Sequence, residues 1–194
     1  NNNIISAGSV SASGFNSFTN NGHLEASNTY LSGNSLNNYG TFNASGNSTS
    51  LLVDNLLNAG NFYSGSYNQS FSGSFTNSGQ FVHTGTGVLS LGNAGAVTLS
   101  GGNVSTAGTA SLSGSISGSG SLFAKSGISI GGNGTFNNNG SSLYTQGGLT
   151  ISSAVNNIGG SLIADGRFTV NTTGNINNTN GNTLAGKAHV PGLF

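Results

Sequence analysis

The sequence predicts an all-β protein: a right-handed parallel β-helix (solenoid) of about ten rungs, each with three short strands. Three observations lead to this prediction. A short turn motif returns at a nearly constant spacing, and apolar residues alternate with polar ones between its copies. Glycine is also frequent, with 34 glycines in 194 residues, which disfavours helices. We therefore expect one repeat region over residues 1–185, followed at 186–194 by a break in the repeat or the end of the segment.

The turn motif is an apolar residue, any residue, Asn, any residue and Gly. Its third positions are 18 to 21 residues apart, except that intervals of 16 and 25 residues between 77 and 118 together span two repeats. A fixed period of this size is typical of a solenoid. The register is left open only at 95–120, where the motif weakens. The last copy, 176–180, has Asn180 in place of the glycine.

Strand signals follow each turn as pairs of residues at positions i and i+2, which lie on one face of a strand. The first residue is large and the second is small in nearly every pair: Leu24/Ala26, Phe42/Ala44, Phe62/Ser64, Phe81/His83, Leu122/Ala124, Leu143/Thr145 and Leu162/Ala164. A second set of apolar pairs lies in the middle of the repeat. These pairs predict stacked core rows, with Phe42, Phe62 and Phe81 as neighbours in one of them.

The repeated asparagine predicts a structural ladder along one edge of the rod. Asn tolerates tight turns, and identical Asn side chains stacked on successive rungs can hydrogen-bond to one another. The expected members occupy the third motif position: Asn20, Asn38, Asn58, Asn77, Asn93, Asn138, Asn157 and Asn178.

The segment from Ser161 to Val170, followed by 174–178, resembles the haemagglutinin repeat of filamentous haemagglutinin and of contact-dependent inhibition effectors. The similarity extends over about residues 1–185 at the level of pattern. It implies a secreted or surface-exposed bacterial rod, exported by an outer-membrane two-partner-secretion transporter and directed at host or neighbouring bacterial cells. The Asn-Pro of the family's secretion domain does not occur here, so the resemblance implies an internal shaft segment of a longer rod.

Composition argues against several other functions. Only 3% of the residues are charged and the net charge is zero, so no basic patch is available for nucleic acid. No apolar run approaches the roughly 20 residues that a membrane-spanning helix requires. Cysteine is absent, which excludes disulfides and thiolate chemistry. We expect no cofactor, no bound metal and no membrane insertion by this segment.

An enzymatic function is also disfavoured. Glycoside hydrolysis generally requires two facing carboxylates, whereas Glu25, Asp54 and Asp165 fall on different predicted rungs. The histidines are equally dispersed, so neither a metal site nor a catalytic triad is expected. His83 occupies a predicted inward position, where we expect either a locally distorted rung or a satisfied polar contact.

Three functions remain, and the first is a shaft that supplies length and stiffness. The second is an adhesive module that contacts a receptor or glycan through turn loops and exposed aromatic residues. The third, binding to ice or a crystal face, would require a regular Thr-x-Thr row that the sequence does not contain. The candidate recognition residues lie out of phase with the core rows or in turns: Tyr30, Tyr63, Tyr67 and Tyr144.

Overall fold

A computed structural model describes residues 2–44, 46, 48–92, 95–132 and 134–188. The described residues form no helix, and every pairing between their strands is parallel. The chain coils into a parallel β-solenoid of about nine turns, which confirms the predicted fold class and is close to the ten rungs expected. With a rise of about 4.8 Å per turn, nine turns give a rod of about 43 Å.

The part of the chain that the structure describes forms 22 strands in one continuous sheet. The amino-terminal half comprises β1 (Ile4–Asn20), β2 (His23–Asn38), β3 (Thr41–Ala44), β4 (Ser50–Asn58), β5 (Asn61–Ser64), β6 (Gln69–Ser70), β7 (Phe75–Asn77), β8 (Gln80–His83), β9 (Val88–Leu91), β10 (Val97–Leu99) and β11 (Asn103–Thr106). The carboxyl-terminal half comprises β12 (Thr109–Ser113), β13 (Ser115–Ser117), β14 (Ser121–Ala124), β15 (Gly127–Gly131), β16 (Thr135–Asn139), β17 (Ser142–Thr145), β18 (Gly148–Ile151), β19 (Ala154–Ile158), β20 (Ser161–Val170), β21 (Ile176–Thr179) and β22 (Asn182–Ala188).

The strands stack into three faces, because each rung pairs with the next at equivalent positions. We call the face that follows each asparagine turn the first face. It consists of β3, β5, β8, β11, β14 and β17, together with the beginnings of the longer strands β1, β2, β20 and β22. The rungs are named here by the residue that opens them on this face: Ile4, His23, Thr41, Asn61, Gln80, Asn103, Ser121, Ser142, Ser161 and Asn182.

The core is a set of apolar rows that run parallel to the rod axis. Phe42, Phe62 and Phe81 are fully buried and stack in sequence, with ring centroids 4.6 Å and 5.2 Å apart. This confirms the predicted row of neighbouring phenylalanines. Phe75, from the face that precedes the asparagine turn, meets Phe81 edge-on at 5.3 Å. Burial of each such ring contributes about 1.5–3 kcal/mol before chain entropy is subtracted.

The register is irregular in the region that the sequence left open. The rung that begins at Gln80 is long, and the pair Val104/Thr106 of the next rung completes the first-face row although no asparagine turn precedes it. Further along, Ile116 of β13 lies in register with Asn138 of β16, whereas Phe136 pairs onward with Val155. The face that precedes the asparagine turn therefore slips by two residues between β13 and β16.

Candidate functional site

Asparagines of the first four turns form a continuous hydrogen-bonded ladder inside the rod. The side-chain amide of each donates to the side-chain oxygen of the next: Asn20 to Asn38 at 2.8 Å, Asn38 to Asn58 at 2.8 Å and Asn58 to Asn77 at 2.7 Å. All four side chains are fully buried. The ladder therefore satisfies, within the protein, polar groups that burial would otherwise destabilise.

Each ladder amide also closes the turn at its own corner. Nδ2 of Asn58 lies 3.1 Å from the carbonyl oxygen of Gly60, two residues ahead, and 3.0 Å from that of Gln80 in the next rung. Its two N–H bonds are thus shared among three acceptors, the third being Asn77. Asn20, Asn38 and Asn77 make the equivalent contacts. One side chain therefore links three backbone segments.

The glycine of the motif is required by a close approach of backbone between rungs. A Cβ on Gly60 would lie 1.9 Å from the carbonyl oxygen of Gly40, and one on Gly40 or Gly79 would lie 2.0 Å from the same atom of the preceding glycine. None of these three glycines has a positive φ. The motif Asn-x-Gly therefore encodes an amide ladder beside a column that has no room for side chains.

The ladder is interrupted after Asn77. The residue in register with Asn77 in the next rung is Leu99, which is buried in the core. Asn93, which the sequence assigned to this step, lies outside the described residues. Leu91, the first residue of this copy of the motif, pairs with Leu112 on a different face.

A second ladder begins at Asn138, which donates to Asn157 at 2.8 Å, and Asn157 donates to Asn178 at 2.7 Å. Because of the register slip, the residue in line above Asn138 is Ile116. An isoleucine cannot donate to the Asn138 amide oxygen, and this buried oxygen has no hydrogen-bond partner. The slip thus leaves the second ladder without a donor at its first member and costs one unsatisfied acceptor.

Turns of the second ladder are one residue longer than those of the first. Asn138, Asn157 and Asn178 bond to carbonyl oxygens three residues ahead rather than two. The extra residue adopts a left-handed conformation, with φ of 87° at Gly140, 65° at Gly159 and 53° at Asn180. Asn is among the few residues with a side chain that tolerate this region. This explains why Asn180 can replace the glycine of the motif.

Substitution of Asn180 by glycine should therefore be tolerated. We expect the free energy of unfolding to change by less than about 1 kcal/mol, because glycine adopts positive φ without steric cost. Asn180→Val should instead destabilise this turn, because a β-branched residue is strained there. Urea unfolding of both variants would check this, and equal stabilities would contradict the assignment.

His83 lies in a buried polar cluster on the first face. Its Nε2 is 2.8 Å from the carbonyl oxygen of Ser66, and its Nδ1 is 2.8 Å from the hydroxyl of Thr106. Nε2 therefore carries the proton, and Nδ1 accepts one from Thr106, whose oxygen accepts from the Gly108 amide. Burial lowers the pKa of His83, opposed by the Ser66 bond. The expected satisfied polar contact is confirmed.

Acid should destabilise the rod through His83. The unfolded chain takes up a proton near pH 6.5, whereas the native imidazole has a lowered pKa and remains neutral. Stability should thus be complete above pH 6.5 and fall with decreasing pH, by at most about 1.4 kcal/mol per pH unit, until the native pKa is reached. Urea midpoints from pH 7.5 to 5 would measure this. The slope should shrink in His83→Gln and persist in the control His23→Gln; an equal slope in both would contradict the assignment.

The four candidate tyrosines do not form one cluster. Tyr30 and Tyr67 are 42% and 67% exposed and lie beyond the first-face positions of their rungs, Tyr30 in the later part of β2 and Tyr67 in the loop between β5 and β6. Tyr63 and Tyr144 point outward from the first face but are several rungs apart. Sequence reasoning missed Tyr39, which is 52% exposed at the corner between Asn38 and Gly40.

Tyr144 belongs to an outward column of apolar side chains on the first face. In register along the axis are Phe123, Tyr144, Ile163 and Leu184, the last of which is 61% exposed. The rings of Phe123 and Tyr144 are 5.5 Å apart at an angle of 35°. Phe123 was missed although the inward pair Leu122/Ala124 places it on the outer surface. We call these four residues the aromatic column.

A second outward column flanks the first, two residues further along each strand. It contains Lys125, Gln146 and Asp165, all exposed. The carboxylate of Asp165 accepts a hydrogen bond of 2.6 Å from the Tyr144 hydroxyl, which raises the pKa of Tyr144. Exposed Arg167 follows at the adjacent corner. We call Lys125, Gln146 and Asp165 the polar column.

Elsewhere, ionisable groups are dispersed. Among the described residues, no three His, Cys, Asp or Glu side chains are grouped closely enough to hold a metal ion. Glu25 lies 3.4 Å from His23 on its own strand, and Asp54 accepts a hydrogen bond from Ser72. Within the ranges that the structure describes, no helix is long and apolar enough to cross a membrane.

Comparisons with known proteins gave no match to any protein-family model, curated protein or solved structure. The resemblance to haemagglutinin repeats therefore stays a prediction from the sequence pattern. The assignment of a solenoid rests on the strand pairing in the structure alone.

Proposed function

We propose that this segment is a rigid shaft of a secreted, surface-exposed bacterial filamentous adhesin or contact-dependent toxin-delivery protein. In this role it holds a distal binding or toxin module away from the cell. The observation that supports the proposal is the continuous stack of about nine turns, with core rows and buried ladders running along its axis. Every rung bonds to the next, so the stack transmits load and sets a fixed distance.

Export through an outer-membrane two-partner-secretion transporter suits this proposal. The chain has no cysteine and few charges, and each rung uses the previous rung as its template. We also propose that the shaft is not an enzyme. No two of the three carboxylates share a rung. Glu25 and Asp54 lie in the adjacent rungs that begin at His23 and Thr41, and Asp165 lies in the distant rung that begins at Ser161.

The test is whether length follows the number of rungs. Residues 41–79, two whole rungs with Asn58 and Asn77, would be duplicated in a surface-displayed segment that carries an epitope at its outer end. The height of the epitope above the membrane should increase by about 10 Å. In the control, a flexible Gly/Ser sequence of the same 39 residues in length replaces the duplicated rungs. It should broaden the height distribution instead. An unchanged height in the duplicated rod would overturn the shaft function.

The alternative is that the segment is itself an adhesive module that binds a receptor or glycan on a cell surface. The observation that favours this function is the aromatic column beside the polar column. It does not exclude the shaft, since a rod can carry a binding face.

A further inference from the structure

The first face departs from the rest of the surface at its carboxyl-terminal end. A core requires only the inward residues of a strand, yet here the outward positions of three successive rungs are Phe123, Tyr144 and Ile163. Adjacent rungs lie about 4.8 Å apart, so these side chains form a continuous apolar strip. Earlier in the same outward row, Tyr63 and Val82 form a shorter apolar pair. The polar residues Glu25 and Asn43 precede this pair, and Ser105 separates it from the strip.

Charge is concentrated at the same place. The whole chain has six charged residues, and three of them, Lys125, Asp165 and Arg167, flank this strip. Between the polar column and Arg167 the corner is built from Ser126, Gly147 and Gly166. The absence of large side chains there leaves the polar column open from the side.

We propose that the aromatic and polar columns form a glycan-binding site, in which pyranose rings stack on Phe123 and Tyr144. A pyranose presents a face of C–H groups, which suits an aromatic ring, and a rim of hydroxyls that donate and accept hydrogen bonds. Asp165 and Gln146 supply acceptors for that rim, while Lys125 and Gln146 supply donors. Few convergent polar groups beside an apolar platform are the usual composition of a ligand site.

Tyr144 is held in place for this role. Its hydroxyl is fixed by Asp165 at 2.6 Å, and its ring packs against Phe123 at 5.5 Å. A fixed ring loses less conformational entropy on binding than a free one. Tyr67, which is 67% exposed and lies in a loop away from this strip, provides the matched comparison.

The test uses the 194-residue chain and isothermal titration with three probes: chitohexaose, cellohexaose and hexagalacturonate. At least one should bind with a stoichiometry of one. Tyr144→Ala and Phe123→Ala should each weaken binding by about tenfold or more, whereas Tyr67→Ala should leave it unchanged. Tyr144→Phe, which keeps the ring, should retain most of the affinity. Preference for hexagalacturonate would assign Lys125 and Arg167 to the sugar carboxylate, and preference for the neutral probes would assign Asp165 and Gln146 to hydroxyls.

Three results would overturn the proposal: no binding of any probe, binding that survives Tyr144→Ala, or self-association of the chain that Tyr144→Ala abolishes while no probe binds. The last would make the strip an interface between copies. Thermal melting of each variant provides the control for folding, since these outward side chains should change stability far less than the core phenylalanines. The shaft function does not depend on this result, because epitope height and glycan affinity are separate measurements.

Discussion

Replacement of Asn58 by aspartate should destabilise the rod by about 3–5 kcal/mol at pH 7, because it places an unpaired carboxylate in the protein interior. Asn58 is fully buried, and its Nδ2 faces three oxygens, those of Gly60, Asn77 and Gln80. The substitution turns these three favourable contacts into repulsions between acceptors. It changes almost nothing in side-chain volume.

The measurement is urea unfolding monitored by circular dichroism at pH 7 and pH 4. Relative to the parent protein at the same pH, part of the lost stability should return at pH 4, because the protonated carboxyl is neutral and can donate one hydrogen bond. The control is Asn61→Asp, an exposed position three residues away, which should cost little. Asn58→Ala should be destabilised to a smaller extent and serves if the aspartate variant does not fold. A cost below about 1 kcal/mol would mean that the ladder does not stabilise the rod.

Replacement of Gly60 by alanine should cost about 2–3 kcal/mol, although alanine is ordinarily the better residue for a folded chain. The new Cβ would lie 1.9 Å from the carbonyl oxygen of Gly40. That oxygen accepts the backbone hydrogen bond of Asn61 at 2.9 Å. The two rungs would have to separate locally, which weakens this bond and the adjacent ladder contacts.

The matched control is Gly8→Ala, where a Cβ would meet no atom within 4 Å. Neither Gly8 nor Gly60 has a positive φ. A difference in stability between the two variants therefore reports steric contact with the neighbouring rung and not strain in the backbone. Thermal and urea unfolding should show Gly8→Ala within about 0.5 kcal/mol of the parent protein. Equal effects at the two positions would show that the rungs can part without cost.

The fold could be predicted from the sequence because each rung repeats the same physical requirements. The first-face row is determined by a large residue, as at Phe42, Phe62 and Phe81, and a small residue two positions later. This spacing of two identifies both residues of each pair as inward. The first-face pair that begins at Val104 was missed because Leu99, and not an asparagine, occupies the ladder position before it. No asparagine therefore marks that turn in the sequence. A motif within one repeat could not reveal this break in the ladder, because the break depends on how residues far apart in sequence stack on one another.

The functional residues were harder to find for a related reason. The inward pair Leu122/Ala124 indicates that Phe123 points outward, but a column of outward residues can be recognised only when the rungs are aligned. The contact between Tyr144 and Asp165 joins two rungs and 21 positions of sequence, and no spacing rule within one repeat predicts it. The role of the motif glycine likewise depends on the neighbouring rung, since its backbone conformation alone would accept a side chain.

The gap between the two ladders has a mechanical consequence. From Asn77 to Asn138 no asparagine ladder joins the described rungs, because Leu99 occupies the ladder position and the amide oxygen at the far end of the interval has no partner. The buried bond between His83 and Thr106 joins one pair of rungs there. On either side, buried amides tie each rung to the next. Under tension along the axis, rupture should begin in this interval and leave two intact blocks. The position of a leucine would then determine where the rod yields.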